Sequence, residues 1–181
     1  MSINKTRKYD FENTLPRKNI GSAKWELMYQ WKPDVSDGII PLSVADMEFK
    51  NPPEITEGLK EYLDRLILGY SMRYAAYDNA VISWLKHKHD YTVSPEMIIQ
   101  TPGVVNAFFA AVNAFTEKGD GVIIMRPVYY PFSMAIEMNE RELVNCPLLC
   151  DKDNYYTIDY EKFEKLAKQP KNKLLIFCSP H

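Results

Sequence analysis

Cysteine and histidine are scarce in this chain, and the few present are badly spaced for a framework. Its 181 residues hold three cysteines (Cys146, Cys150, Cys178) and three histidines (His87, His89, His181). An odd cysteine set of this spacing excludes a disulfide scaffold and suits reduced thiols in a cytoplasmic protein. Cys146-x-x-x-Cys150 would need further ligands to hold zinc, and the histidines are not arranged to supply them. An excess of charge is missing too. With a formal net charge of −2, there is no electrostatic reason to expect nucleic acid or an anionic membrane as partner. Lys5-Thr6-Arg7-Lys8 and Lys86-His87-Lys88-His89 are short basic clusters that read as solvated faces. A membrane-spanning run is also absent. The most apolar window, residues 104–115, is too short and is interrupted by Asn106 and Asn113. The opening MSINKTRKYDFENTLPRK lacks the apolar segment of a secretory signal.

What is present is the make-up of an ordinary globular protein, in a length that allows a sizeable core. Twelve tyrosines raise the aromatic share to 13%, and aromatics mark cores, interfaces and ligand platforms. Residues 1–23 read as a polar arm. AKWELMYQW is a short helix that Pro33 terminates. In NPPEI, Asn51 is the expected N-cap, with Glu54 at the capping-box position. That helix should run to about Leu68, with Ile55, Leu59, Tyr62, Leu63 and Leu66 on one stripe. A second amphipathic helix runs to about His89.

From Ser94 onward strands and helices alternate. MIIQT, GVIIM, ELVNCPL and LLIFC read as strands. PGVVNAFFAAVNAFT, YYPFSMAIEMN and DYEKFEKLAKQ read as helices, the last capped by Asp159. Such alternation through short loops predicts an α/β fold with a parallel sheet covered on both faces and right-handed crossovers.

Ligands of such sheets bind beyond the carboxyl ends of the strands. Three loops qualify: TPGVVNA, RPVYYPF and SPH. A helix beginning near Gly103 would turn free N–H groups and a positive dipole end outward, which suits a phosphate. A plain Pro-Gly turn accounts for the same residues. Tyr129 and Tyr130, flanked by prolines, could offer a ring to a planar cofactor or could fill core. The two loops together suit a flat heterocycle carrying a phosphate. A nucleotide-binding domain fits less well, since Gly-x-Gly-x-x-Gly and a matching acidic strand end are missing.

KWELM, PLSVADMEFKNPPEI, GYS, TPGVVNAFFAAVNAFTEKGDGVIIMRPVYYPF and LLIFCSPH resemble, in order and spacing, the pyridoxal-phosphate-dependent cystathionine β-lyases close to class I and II aminotransferases. The resemblance covers most of residues 24–181. It implies an aspartate-aminotransferase-like PLP-dependent transferase fold and a homodimer with shared active sites. Residues 1–50 would be an N-terminal arm and small-domain segment. Residues 51–181 would be the N-terminal part of the large, mostly parallel sheet domain. It further implies that backbone around Gly103, Val104 and Val105 holds the phosphate of pyridoxal 5'-phosphate and that Tyr129 stacks on its ring. Tyr70 would reach the phosphate of the neighbouring subunit. Val44, Ala45 and Asp46 would line the substrate side, although Asp46 could equally be a loop residue bonded to local backbone.

In the family, SPH is followed by an Asn-Pro that contacts the cofactor, and the anchoring lysine comes later still. Lys118 and Lys173 stand in the wrong motifs to replace it. The resemblance therefore implies an N-terminal fragment, inactive alone, of an enzyme acting on amino acids. The expected reaction is β-elimination, from an amino acid thioether to pyruvate, ammonia and a thiol. An aminotransferase and a non-catalytic α/β association module are the alternatives.

Overall fold

The computed structural model describes residues 9–181. They form two compact units, one ending at Met72 and the other spanning Arg73–His181. This boundary separates regions that contact themselves. The division at residue 50 concerns the domains of a larger protein and stands as an expectation.

The first unit carries α1 (Ala23–Trp31) and α2 (Pro53–Arg65). Helix α1 stops two residues short of Pro33, whose ring disfavours helical backbone in the residue before it. Helix α2 departs from the sequence reading at both ends. Pro52, not Asn51, is the N-cap, and no side chain caps it. Pro53 forces residue 52 into extended backbone, so the helix can start only at Pro53. Glu54 accepts a hydrogen bond from Tyr9 Oη at 3.2 Å instead of closing a capping box. At the far end Leu66 is already extended (φ −124°, ψ 145°). The apolar stripe of α2 remains 41–59% exposed, so within this chain it supplies little packing energy.

The second unit holds α3 (Ala75–His89), α4 (Val104–Phe115), β1 (Gly121–Ile124), α5 (Pro131–Met138), β2 (Glu142–Asn145), β3 (Leu149–Cys150), β4 (Tyr156–Thr157), α6 (Tyr160–Ala167) and β5 (Asn172–Leu175). Strands β2, β1 and β5 form a parallel sheet in that order. Ile123 sits opposite Val144 on one side and Leu175 on the other.

Central β1 is buried along its whole length. Its side chains alternate between two cores, as strand geometry requires. Val122 and Ile124 join Val112, Phe132, Ala135 and Ile136 from α4 and α5. Ile123 and Met125 join Cys146, with Phe163 and Leu166 of α6 against them. A strand buried on both faces must be apolar throughout, which is why GVIIM shows no polar alternation. Asp159 caps α6 as expected, its Oδ1 accepting from the Lys162 N–H at 2.9 Å.

Gly121 meets a steric limit. A Cβ there would lie 2.0 Å from Asn172 Oδ1, on a side chain that also donates to the Leu166 carbonyl at 2.7 Å. The β1–β5 register shifts at the same point.

Two strand expectations change. MIIQT forms no strand: a 3-10 turn (Pro95–Met97) leads into extended Ile98. A strand needs a ladder partner, and among the described residues none runs beside it. Arg73 takes the carbonyls of Pro95 and Ile98 instead. The last strand begins at Asn172, two residues before LLIFC, and ends at Leu175, three residues before the end of that run, although the Ile176 N–H still reaches the Ile123 carbonyl at 3.0 Å.

Core and stripe should respond differently to truncation. Ile124→Ala is expected to cost about 3 kcal/mol in urea denaturation of this chain, because Ile124 is fully buried. Leu59→Ala should stay within about 0.5 kcal/mol. Equal losses would contradict this division of the packing.

Candidate functional site

Gly103 is the N-cap of α4, with φ 88° and ψ 160°. Only glycine adopts this backbone without strain, and nothing lies within 4 Å of where a Cβ would sit. The turn is tight. The Gly103 N–H donates to the Thr101 carbonyl at 2.7 Å, and Thr101 Oγ1 donates to the Gly103 carbonyl at 3.1 Å. The helix ladder opens with Ala107 N–H donating to the Gly103 carbonyl at 3.2 Å. The preceding amides, at Val104, Val105 and Asn106, have no carbonyl a turn earlier to bond. No side chain caps this end, and its first turn carries no acidic residue. Val104 is 78% exposed. An anion could therefore approach free N–H groups at a positive dipole end.

Tyr129 lies on the loop from β1 to α5 and is 51% exposed. Tyr130 is more exposed still, so neither tyrosine fills core. The Tyr129 ring stands edge-on to Phe132, with centroids 5.8 Å apart at 89°. Phe132 is itself edge-on to Phe108 of α4, at 5.0 Å, and Phe108 sits one turn beyond Val104 and Val105. The aromatic loop and the open helix end are thus tied through two packed phenylalanines. At the same strand end, Arg126 Nη2 donates to Ser133 Oγ at 2.7 Å.

A cavity of about 390 Å³ opens beyond the carboxyl ends of β1 and β5. Met125 and Val128 line it from one loop, and Ile176, Phe177, Cys178 and His181 from the other. Gly103, Val104, Val105 and Tyr129 are not among its walls. Its remaining wall is Leu148 and residues 154–158, which include β4 of the antiparallel β3–β4 pair, an element the sequence reading passed over. The signal for it was Asp151-Lys152-Asp153-Asn154 between two short runs, a turn-forming cluster. Asp151 Oδ1 accepts from the N–H groups of Asp153 and Tyr155, both at 2.9 Å. Nearby Cys146 is buried, and burial followed by the Asp159 carboxylate pushes its thiol pKa up. That makes it a packing residue rather than a nucleophile.

In the first unit, Val44, Ala45 and Asp46 form exposed irregular backbone. The Asp46 carboxylate pairs with Arg17. Sequence reasoning did not single out the group around it: Arg17, Lys24 and Glu48. Lys24 is 4% exposed, yet donates to the Asp46 carbonyl at 2.7 Å and pairs with Glu48 Oε1 at 2.5 Å. A lysine on a short helix carries no sequence signal of burial. Arg17 holds the Asp46 carboxyl below its ordinary value, and Lys24 does the same for Glu48. Tyr70, also of this unit, is fully exposed.

A doubly covered parallel sheet, with an open helix end and an aromatic loop in one unit, is the make-up of a ligand-binding α/β protein. The aminotransferase class I and II family model matches residues 37–181, and the chain belongs to that family. It is 41% identical to cystathionine beta-lyase PatB of Bacillus subtilis over 95% of this chain and 44% of the relative. Cystalysin from Treponema denticola, solved with a pyridoxal 5'-phosphate cofactor, superposes with TM-score 0.92 at 55% identity, over 97% of this chain and 44% of that one. A PLP-bound C-S lyase from Staphylococcus hominis gives TM-score 0.86 at 30% identity, over 97% and 44%. The fold is therefore the aspartate-aminotransferase-like α/β fold, and the chain spans less than half the length of these relatives. Among the described residues no helix is long and apolar enough to cross a membrane.

The lowered carboxylates set an acid limit on the first unit. A depressed folded-state pKa means the unfolded chain binds more protons, so the stability these groups add is complete above their ordinary values, about 4. It should be lost as pH falls from there through the lower folded values. Trp25, which donates to Glu48 Oε2 at 3.2 Å, can report it: its fluorescence is expected to hold steady from pH 7 to about 5 and to change below. A midpoint near neutrality would contradict the assignment.

Proposed function

We propose that this chain is the cofactor-holding N-terminal part of a PLP-dependent carbon–sulfur β-lyase acting on amino acid thioethers. The observation that carries the reading is the uncapped α4 N-terminus coupled to the Tyr129 ring through Phe132 and Phe108. The backbone N–H groups of Val104 and Val105 hold the phosphate, with Gly103 leaving open space for its approach. Tyr129 stacks on the pyridine ring, and the Phe132 contact limits how far the tyrosine can turn. In a homodimer, Tyr70 reaches across to the neighbouring subunit's phosphate, a role its full exposure permits. Val44, Ala45 and Asp46 border the substrate. Pyridoxal phosphate, when bound, supplies a sink for the electron pair left at the substrate's α-carbon.

Bond cleavage also needs an anchoring lysine that doubles as a base, and Lys118, Lys171 and Lys173 are otherwise engaged or placed. Lys118 pairs with Glu140 at 2.5 Å, and Lys171 pairs with Glu142. Lys173 stands in β5. The 181-residue chain alone is accordingly inactive and binds the cofactor without a covalent link. Three free cysteines, one exposed, suit a cytoplasmic setting. The family also contains aminotransferases, and the products separate the two readings: a thiol with pyruvate for the lyase, a 2-oxo acid retaining the side chain for transamination.

Borohydride treatment of the chain with pyridoxal phosphate, followed by peptide mapping, is expected to label no lysine specifically. The longer protein should release thiol from an amino acid thioether and carry one specific label. Tyr129→Ala should weaken cofactor retention by about tenfold, the weight of one aromatic contact of ~1.4 kcal/mol. Gly103→Ala should weaken it as well, through backbone strain of about 1–3 kcal/mol. Specific labelling with turnover in the 181-residue chain would overturn the reading.

A further inference from the structure

We infer that Lys24 is a positioning residue for the segment Val44–Glu48, setting its course without touching substrate. The inference rests on the proposed reading that Val44, Ala45 and Asp46 border the substrate.

The segment has no helix or strand to define it, so other bonds must. Three successive carbonyls are each taken by a donor from residues 15–24. Lys24 Nζ donates to the Asp46 carbonyl at 2.7 Å, Arg17 Nη1 to that of Met47 at 3.2 Å, and the Leu15 N–H to that of Glu48 at 2.8 Å. Of the two cationic donors, only Lys24 is buried: its side chain is 5% exposed, against 23% for Arg17. Burying an ammonium gains little net stability over an apolar side chain of similar size. What it adds is direction. Lys24 has three N–H donors and meets two different groups of the segment, the Asp46 carbonyl and the Glu48 carboxylate. Trp25 Nε1 holds the second Glu48 oxygen at 3.2 Å. An apolar residue in place of Lys24 could fill the space but could bond neither group, and of the bonds from α1 to the segment only that of Trp25 would remain.

The role separates from general stability in the longer holoenzyme. Lys24→Met is expected to quicken amide exchange in residues 44–48 by about tenfold, a local opening, with exchange in β1 unchanged. KM for an amino acid thioether should rise about tenfold with kcat held within about threefold, the pattern of lost ground-state positioning. Cofactor content should stay at the wild-type level, and Lys24→Arg should restore most of the exchange protection. Should Lys24→Met fail to fold, Lys24→Met/Glu48→Gln removes both charges together and carries the same expectations. Unchanged exchange in 44–48, or equal acceleration across β1, would overturn the inference. Faster exchange in 44–48 with unchanged KM would overturn the positioning role and, with it, the substrate-side placement of this segment. Absence of thiol release by the wild-type protein would count against the proposed reaction alone, with the exchange result still deciding the clamp.

Discussion

The double-sided burial of β1 is the constraint on which the second unit depends. Three residues of β1 and the methionine after the strand are divided between two cores, so both faces must be covered before either is stable. Helices α4 and α5 take one face and α6 the other. Parallel neighbours at both edges of β1 follow from the same demand. Each parallel pair requires a crossover connection, and the crossover helices are the cover. This arrangement also sends the loops after β1 and β5 out at one edge of the sheet, where a cavity opens.

The helix end and the aromatic loop inherit their order from that core. Phe132 belongs to the cluster beneath α4 and α5 and at the same time supports the Tyr129 ring. Phe108 of α4 packs against that cluster and stands edge-on to Phe132. The exposed features are therefore set by buried residues one turn away, and the open amides of α4 are presented by a helix that cannot rotate without breaking the packing. Glycine at the N-cap is what leaves that end bare. A serine or aspartate there would cap the helix and compete with an incoming anion.

In the first unit, ion pairing supplies what sheet packing supplies in the second. Its irregular backbone at residues 46–48 is held to residues 15–25 by Lys24, Arg17, Trp25 and one backbone amide. The charges of this group balance, two cations against two carboxylates, so Lys24 can be buried without an uncompensated charge. Meanwhile the apolar stripe of α2 stays exposed and contributes little within the chain. The two units thus reach local order by different physics.

Periodicity and turn chemistry were enough to read α1, α4, α5, α6, the Asp159 cap, and the β1 and β2 strands, because each depends on residues near one another in the chain. The Pro-Gly turn and the tyrosine pair were legible as candidates for the same reason. MIIQT was misread because a strand exists only through its neighbours. The N-cap of α2 was misplaced because two consecutive prolines outweigh a favourable asparagine. The β3–β4 pair left only the turn cluster at 151–154 as a signal, and the buried Lys24 left none. By itself the sequence determined the local elements and the α/β class, through short-range sterics and hydrophobic period. Only the tertiary structure decided which loops share a cavity, which rings support Tyr129 and which charges are buried, since those depend on contacts between residues far apart in the chain.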